Sequence, residues 1–122
     1  MKLFSKSKNT EMNYLDLTPY RKYNHSLKED GLIDVLVPRF TDKILGKILQ
    51  PKLKNPYIRA NLDELGSAAW LEIDGKRKVG EIINLLDSSL GDKIQPAQQR
   101  VTLFLSYLHR NGFINFKEFN KD

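Results

Sequence analysis

The chain has 122 residues, of which 40% are hydrophobic and 29% charged, a composition typical of one ordinary globular domain. It contains no cysteine, which excludes disulfides, thiolate metal ligands and a cysteine nucleophile, and no apolar run approaches the ~18 residues that a membrane span needs. The formal net charge of +5 lies entirely in residues 1–56, which carry 11 Lys/Arg against 6 Asp/Glu, whereas residues 57–122 carry 9 of each. Such a basic half can attract nucleic acid, an acidic peptide or an acidic protein face, or can simply keep the protein soluble.

The N-terminal half predicts a β-hairpin followed by a short helix. Residues 1–11 are polar and lack an apolar stretch of the secretory kind, so we expect a flexible tail and a cytoplasmic location. Residues 12–17 form a brief apolar patch, which predicts a loop or an edge strand. Glu29-Asp30-Gly31 predicts a turn between a polar edge strand at 22–28 and a buried strand at 32–37, ended by Pro38. Residues 40–50 show helical spacing and predict an amphipathic helix packed on the sheet.

The C-terminal half predicts a strand, three helices and a last strand. Residues 57–62 alternate, with Ile58, Ala60 and Leu62 on the inward side, as in a half-buried strand. Asn61 or Asp63 then caps a helix that Asp74-Gly75 ends. The second helix covers about 79–90, and the third begins at Gln95-Pro96 and ends at Asn111-Gly112. Residues 113–119 predict a terminal strand.

These elements predict one domain of the α+β class with a winged helix-turn-helix shape. The small antiparallel sheet would consist of the N-terminal hairpin and a third strand, packed with a three-helix C-terminal bundle.

The sequence carries no recognisable catalytic, metal or cofactor site. His25 and His109 have no partner at metal or catalytic spacing, and His109 falls opposite the apolar stripe of its helix, as an exposed polar residue would. There is no glycine-rich phosphate loop and no nucleophile elbow. The neighbouring carboxylates of Asp63, Glu64, Glu72 and Asp74 are interpreted as helix caps and termini. We therefore expect no enzyme activity.

The third helix carries a second apolar row outside its main stripe. Leu103 and Tyr107 are four residues apart and lie roughly 100° or more from the stripe, and Arg100 continues their row. Either the core wraps round this helix and buries Leu103, or the row forms an apolar wall beside the strand at 57–62. A free strand edge with a helix alongside accepts an extended peptide as an added strand.

The order of these signals resembles the pyrroloquinoline quinone biosynthesis protein D (PqqD) family. The resemblance lies in LDELGSAAWLEIDGKRKVGEIINLL followed, after a glycine-bounded gap, by QQRVTLFLSYLHRNGFINF, and covers about residues 32–116. Its closest matching features are Leu62, Gly66, Trp70, Asp74-Gly75, Val79, Glu81-Ile82, Phe104-Leu105, Leu108 and Gly112-Phe113-Ile114.

The resemblance implies a chaperone-like domain that binds the leader of a ribosomally made precursor peptide. Such domains present the leader to a modifying enzyme, commonly a radical S-adenosylmethionine enzyme, and the peptide adds a strand next to the last helix. Carried over to this chain, the peptide-binding residues would be Tyr57, Ile58, Arg59, Ala60, Asn61, Arg100, Leu103, Phe104 and Tyr107. One departure from the family is Lys78, which stands where a hydroxyl residue often caps the second helix.

Two other functions remain open from the sequence. A winged-helix nucleic-acid binder would fit the three helices and the positive charge, but the third helix offers Gln98, Gln99, Arg100 and Arg110 without a lysine, and the basic excess lies elsewhere. A structural subunit with neither ligand is the other alternative.

Overall fold

The computed structural model describes residues 13–39 and 43–120. Within them the chain forms two compact units, one from Tyr23 to Ser67 and one from the described residues before and after that segment, so that the boundary falls inside the second helix. The order of elements is β1 (Pro19–Arg21), β2 (Asn24–Leu27), β3 (Ile33–Pro38), α1 (Lys43–Leu49), β4 (Tyr57–Asn61), α2 (Glu64–Leu71), α3 (Val79–Leu90), α4 (Ala97–Arg110) and β5 (Ile114–Phe116). The α+β class is confirmed, whereas the single domain and the winged-helix shape stay predictions.

The unit of residues 23–67 contains an antiparallel sheet in the order β2-β3-β4. Gly31 closes the β2–β3 turn with φ 87°, a value that glycine adopts without strain, and its amide donates to the Lys28 carbonyl at 2.9 Å. The predicted hairpin is therefore confirmed, and the first half of β3 is buried as expected. Strand β3 ends at Pro38, as the sequence predicted. Pro38 itself still lies opposite Tyr57, because the N–H it lacks would point to the side on which β2 has already ended at the Asn24–Leu36 pair.

The connection between β3 and β4 contains the predicted short helix. It is α1, followed by a 3₁₀ turn over Gln50–Lys52. The predicted helix start at residues 40–42 lies outside the described residues, and its packing on the sheet stays a prediction.

The second unit is built on α3 and α4. Helix α3 begins and ends where the sequence predicted, with Val79, Ile82, Ile83 and Leu86 buried. Helix α4 buries Ala97, Val101, Leu105 and Leu108, while Phe104, expected in the same stripe, is only half-buried. Trp70 near the end of α2 is wholly buried, with the Arg21 guanidinium 5.9 Å from its ring centre.

A two-stranded sheet in this unit pairs an early segment of the described chain with a late one. Strand β1 pairs antiparallel with β5, so that Tyr20 lies opposite Asn115. The predicted terminal strand is thus confirmed in its first part, and a 3₁₀ turn over Lys117–Phe119 replaces the rest. The apolar patch before β1 is a 3₁₀ turn at Tyr14–Asp16, and no helix of the described chain is long and apolar enough to cross a membrane.

Candidate functional site

Strand β4 has an open edge whose backbone groups follow from the register. The Leu62 amide donates to the Ile33 carbonyl at 2.9 Å, and the Arg39 amide donates to the Pro56 carbonyl at 3.1 Å. Because hydrogen-bonded pairs alternate in an antiparallel ladder, Ile58 and Ala60 also bond to β3. The N–H and C=O groups of Tyr57, Arg59 and Asn61 therefore point away from β3. Within the described sheet no strand pairs with this side of β4.

The side chains of β4 are more exposed than the sequence predicted. Ile58 was expected on the inward side of a half-buried strand, but it is 51% exposed, and only Ala60 is half-buried. The expectation for Ile58 is therefore wrong, since about half of its side chain is exposed to solvent. Tyr57 is also exposed, so both faces of the strand offer apolar surface near its start.

A buried carboxylate on β3 holds the polar side chains of β4. Asp34 is only 3% exposed, and it accepts a hydrogen bond from Asn61 Nδ2 at 2.5 Å and one from Arg59 Nη1 at 3.2 Å. The Lys28 ammonium lies 3.1 Å from the same carboxylate. The Asn61 hydrogen bond, with help from Lys28 and Arg59, holds the pKa of Asp34 below its usual value although burial opposes this.

The exposed row on α4 is present as a surface. Leu103 is 63% and Tyr107 52% exposed, so the interpretation that Leu103 packs inside the core is wrong. Arg100 is exposed, and its guanidinium donates to the Lys93 carbonyl at 2.8 Å. Residues four apart on a helix are neighbours, so Leu103 and Tyr107 form one apolar patch. The predicted site residues thus belong to two surfaces, β4 in one unit and α4 in the other.

Of the carboxylates near α2, Asp63 caps the helix as the sequence indicated, whereas Asp74 lies in the turn after it and Glu72 pairs with Arg77 at 3.2 Å. Asp63 accepts the Gly66 amide at 2.7 Å and is the N-cap of α2, whereas Asn61, the other candidate, bonds to Asp34. Asp74 accepts the amides of Lys76 and Arg77 at 2.9 and 2.8 Å, and these bonds keep the pKa of Asp74 low.

His109 is part of an aromatic cluster, which corrects its interpretation as a simply exposed residue. Its ring lies 5.1 Å from that of Phe116 and 5.4 Å from that of Phe119, and Tyr14 packs edge-on against Phe116 at 5.6 Å. No local sequence pattern indicates this cluster, because its members come from four separate elements.

The described residues contain no group of three or more His, Cys, Asp or Glu side chains arranged to hold a metal ion. They do contain a pocket of about 410 Å³ beside the N-terminal end of the described chain, which the sequence did not predict. It is lined by Asn13, Tyr14, Leu15, Gln98, Thr102 and Ser106. Neutral side chains line it, and it holds no acid–base pair.

Comparison with protein families matches residues 57–114 to the model described as coenzyme PQQ synthesis protein D (PqqD). This segment of the chain is similar to the PqqD family. The match covers just under half of the chain, from the start of β4 to the start of β5, and includes all nine predicted peptide-binding residues. It is shorter than the resemblance expected over about residues 32–116, since β3 and α1 lie outside it. The searches of curated proteins and of solved structures found no match.

Proposed function

We propose that this chain is a PqqD-like, non-enzymatic peptide-binding module of coenzyme PQQ synthesis or a similar modification pathway. It binds the leader of a ribosomally made precursor peptide as an added strand and presents it to a modifying enzyme, such as a radical S-adenosylmethionine enzyme. The observation that carries the proposal is the open edge of β4, which begins the segment matched to the family.

The backbone of β4 supports strand addition. Tyr57, Arg59 and Asn61 supply three outward N–H and three outward C=O groups, spaced as an incoming strand requires. These groups give affinity without regard to sequence, whereas neighbouring side chains select the peptide. The Asp34 bonds to Arg59 and Asn61 hold the strand in one register before a peptide arrives, which lowers the entropy lost on binding.

The α4 row, in the other unit, is by itself a second candidate surface for a peptide. An exposed leucine and tyrosine four residues apart offer apolar area for the side chains of a peptide. Arg100 and Phe104 flank this patch on the helix, and we assign them supporting roles.

The test is a pull-down from an extract of the source organism with the full chain as bait, followed by identification of bound peptides and proteins. Recovery of one short peptide that binds the purified chain saturably, together with a modifying enzyme, would support the proposal. The recovered peptide, synthesised with a fluorophore, is called the captured peptide below. Recovery of nucleic acid whose binding falls steeply with salt would instead favour the nucleic-acid alternative.

A further inference from the structure

The connection that leads into β4 concentrates the positive charge of the chain. Residues 39–56 contain five Lys/Arg and one Asp, so this connection carries a net charge of +4. Arg39 is fixed at the start of β4, because its amide donates to the Pro56 carbonyl at 3.1 Å and its Nε to the Asn55 carbonyl at 2.6 Å. The segment that precedes the open edge of β4 is therefore basic.

Arg59 places a guanidinium group at the middle of the edge, and Asp34 binds only one of its nitrogens. Its side chain is 56% exposed, and the bond to Asp34 engages Nη1 and leaves the other guanidinium nitrogens without a partner among the described residues. Lys28 shares the same carboxylate, so two cations face one anion and the cluster keeps one net positive charge. An added negative charge would be attracted to Arg59 without breaking its bond to Asp34.

The strand register determines which residue of an added strand would lie beside the Arg59 guanidinium. A residue of an added strand that stands directly opposite Arg59 has its side chain on the same face, with the two Cβ atoms about 4.5–5.5 Å apart. The next residue of that strand points to the other face, where Ile58 is 51% exposed. A polar position beside Arg59 and an apolar position beside Ile58 therefore alternate along the ligand.

We propose that the peptide bound at the β4 edge carries an acidic side chain opposite Arg59 and an apolar side chain on the face of Ile58. This inference rests on the proposed function, and adds to it the chemical class of the ligand. The charge complementarity selects an acidic segment from among all peptides that could form the same backbone bonds.

The experiment is selection of a displayed library of random peptides of about ten residues, the upper length of an ordinary strand, on the immobilised full chain. We expect selected peptides with alternating apolar residues and Asp or Glu at one polar position. On Arg59→Glu the preference at that position should change to Lys or Arg, and on Arg59→Gln it should disappear. Lys47→Glu, the same charge change on an exposed position of α1, is the control and should leave the acidic position in place.

A selected peptide then allows a measurement in solution. Replacing its acidic residue by the amide should weaken binding about two- to fivefold at low salt, as for a partly exposed ion pair, and less at high salt. Selected peptides without an acidic position, or with one that persists on Arg59→Gln, would overturn this inference and leave strand addition standing. Failure of the folded chain to select any peptide would overturn both, as would binding of a short DNA duplex that is lost on Arg59→Gln.

Discussion

Asp34 and Asn61 stand directly opposite each other in the β3–β4 ladder, and the Asn61 amide donates to the buried Asp34 carboxylate at 2.5 Å. Asp34 has two further donors, Lys28 and Arg59, and thus joins β4 to the central strand through side chains as well as backbone. The same contacts orient the strand that we propose as the peptide-binding edge. Several consequences of this arrangement can be measured.

Asp34→Ala should destabilise the protein more than most single truncations at the surface. The substitution removes three charge-assisted or short hydrogen bonds and leaves Asn61 without its acceptor. We expect a clearly lower denaturant midpoint in chemical unfolding. Glu29→Ala, an exposed carboxylate in the adjoining turn, is the matched control and should shift the midpoint little. Equal midpoints for the two variants would contradict the role given to Asp34.

Stability should fall in acid because three carboxyl groups have lowered pKa values in the folded state. They are Asp34, Asp74 and Glu118, and at Glu118 the burial that raises its pKa is outweighed by bonds from the Thr18 amide and hydroxyl. The unfolded groups take up protons near their ordinary values of 3.8 and 4.5, before the folded ones do. The stabilisation is therefore complete above about pH 4.5 and is lost as the pH falls through the lower folded values.

Unfolding measured from neutral pH down to about pH 3 checks this prediction. Asp34→Asn should make the loss of stability in acid shallower, since one of the three groups no longer titrates. An identical acid profile for the variant would show that Asp34 titrates alike in the folded and unfolded states.

Lys78→Ser should stabilise the protein. Lys78 is the N-cap of α3 and has an extended backbone (φ −84°, ψ 161°). Its ammonium group can donate but cannot accept a hydrogen bond, so its side chain cannot cap the helix. Only the Glu81 side chain contributes, by accepting the Lys78 amide at 2.8 Å. A serine hydroxyl there can accept an amide of the first turn, a gain of about 1 kcal/mol in the free energy of unfolding. Lys76→Ser makes the same charge change outside the helix and should give no gain. A gain shared by both variants would point to charge and not to capping.

Tyr57→Pro should weaken binding of the captured peptide while the sheet stays folded. Proline is tolerated where the N–H faces an open edge, and the Tyr57 amide points away from β3. Loss of that donor should cost about tenfold in affinity, the effect of one unmade hydrogen bond. Tyr57→Ala removes only the side chain and should retain more affinity, whereas Ile58→Pro removes a bond to β3 and should lower the unfolding midpoint. Full affinity in folded Tyr57→Pro would contradict addition at this edge.

Leu103→Asp should also reduce binding of the captured peptide, with the fold retained because the side chain is 63% exposed. If the bound peptide covers Leu103, loss of that apolar contact should lower the affinity for the peptide about tenfold or more. Gln98→Asp adds the same charge at another exposed position of α4 and should bind as the native chain does. Equal affinities for the two variants would remove the α4 row from the proposed site.

The elements with strong local signals were predictable from the sequence. Helix α3 has an unbroken apolar stripe, and the β2–β3 turn has a glycine at a position of positive φ. Strand β1 was missed because it has three residues and owes its existence to β5, a partner at the far end of the chain. Long-range pairing of this kind leaves no periodic signal in so short a segment.

The candidate edge was predictable as a strand, but its chemistry was not. Asp34 looked like one polar residue in an apolar strand, and its bonds to Lys28, Arg59 and Asn61 depend on the register of three strands. Likewise, the outward direction of the Arg59 backbone follows from which pairs exchange hydrogen bonds, a property of the ladder that periodicity does not fix.

Amide hydrogen exchange of β4, resolved by residue, tests strand addition most directly. We expect the captured peptide to slow exchange at Tyr57, Arg59 and Asn61, whose amides point to the open edge, while Ile58 and Ala60 are already protected by β3 in the free protein. A saturating peptide that leaves exchange at Tyr57, Arg59 and Asn61 unchanged would contradict the account.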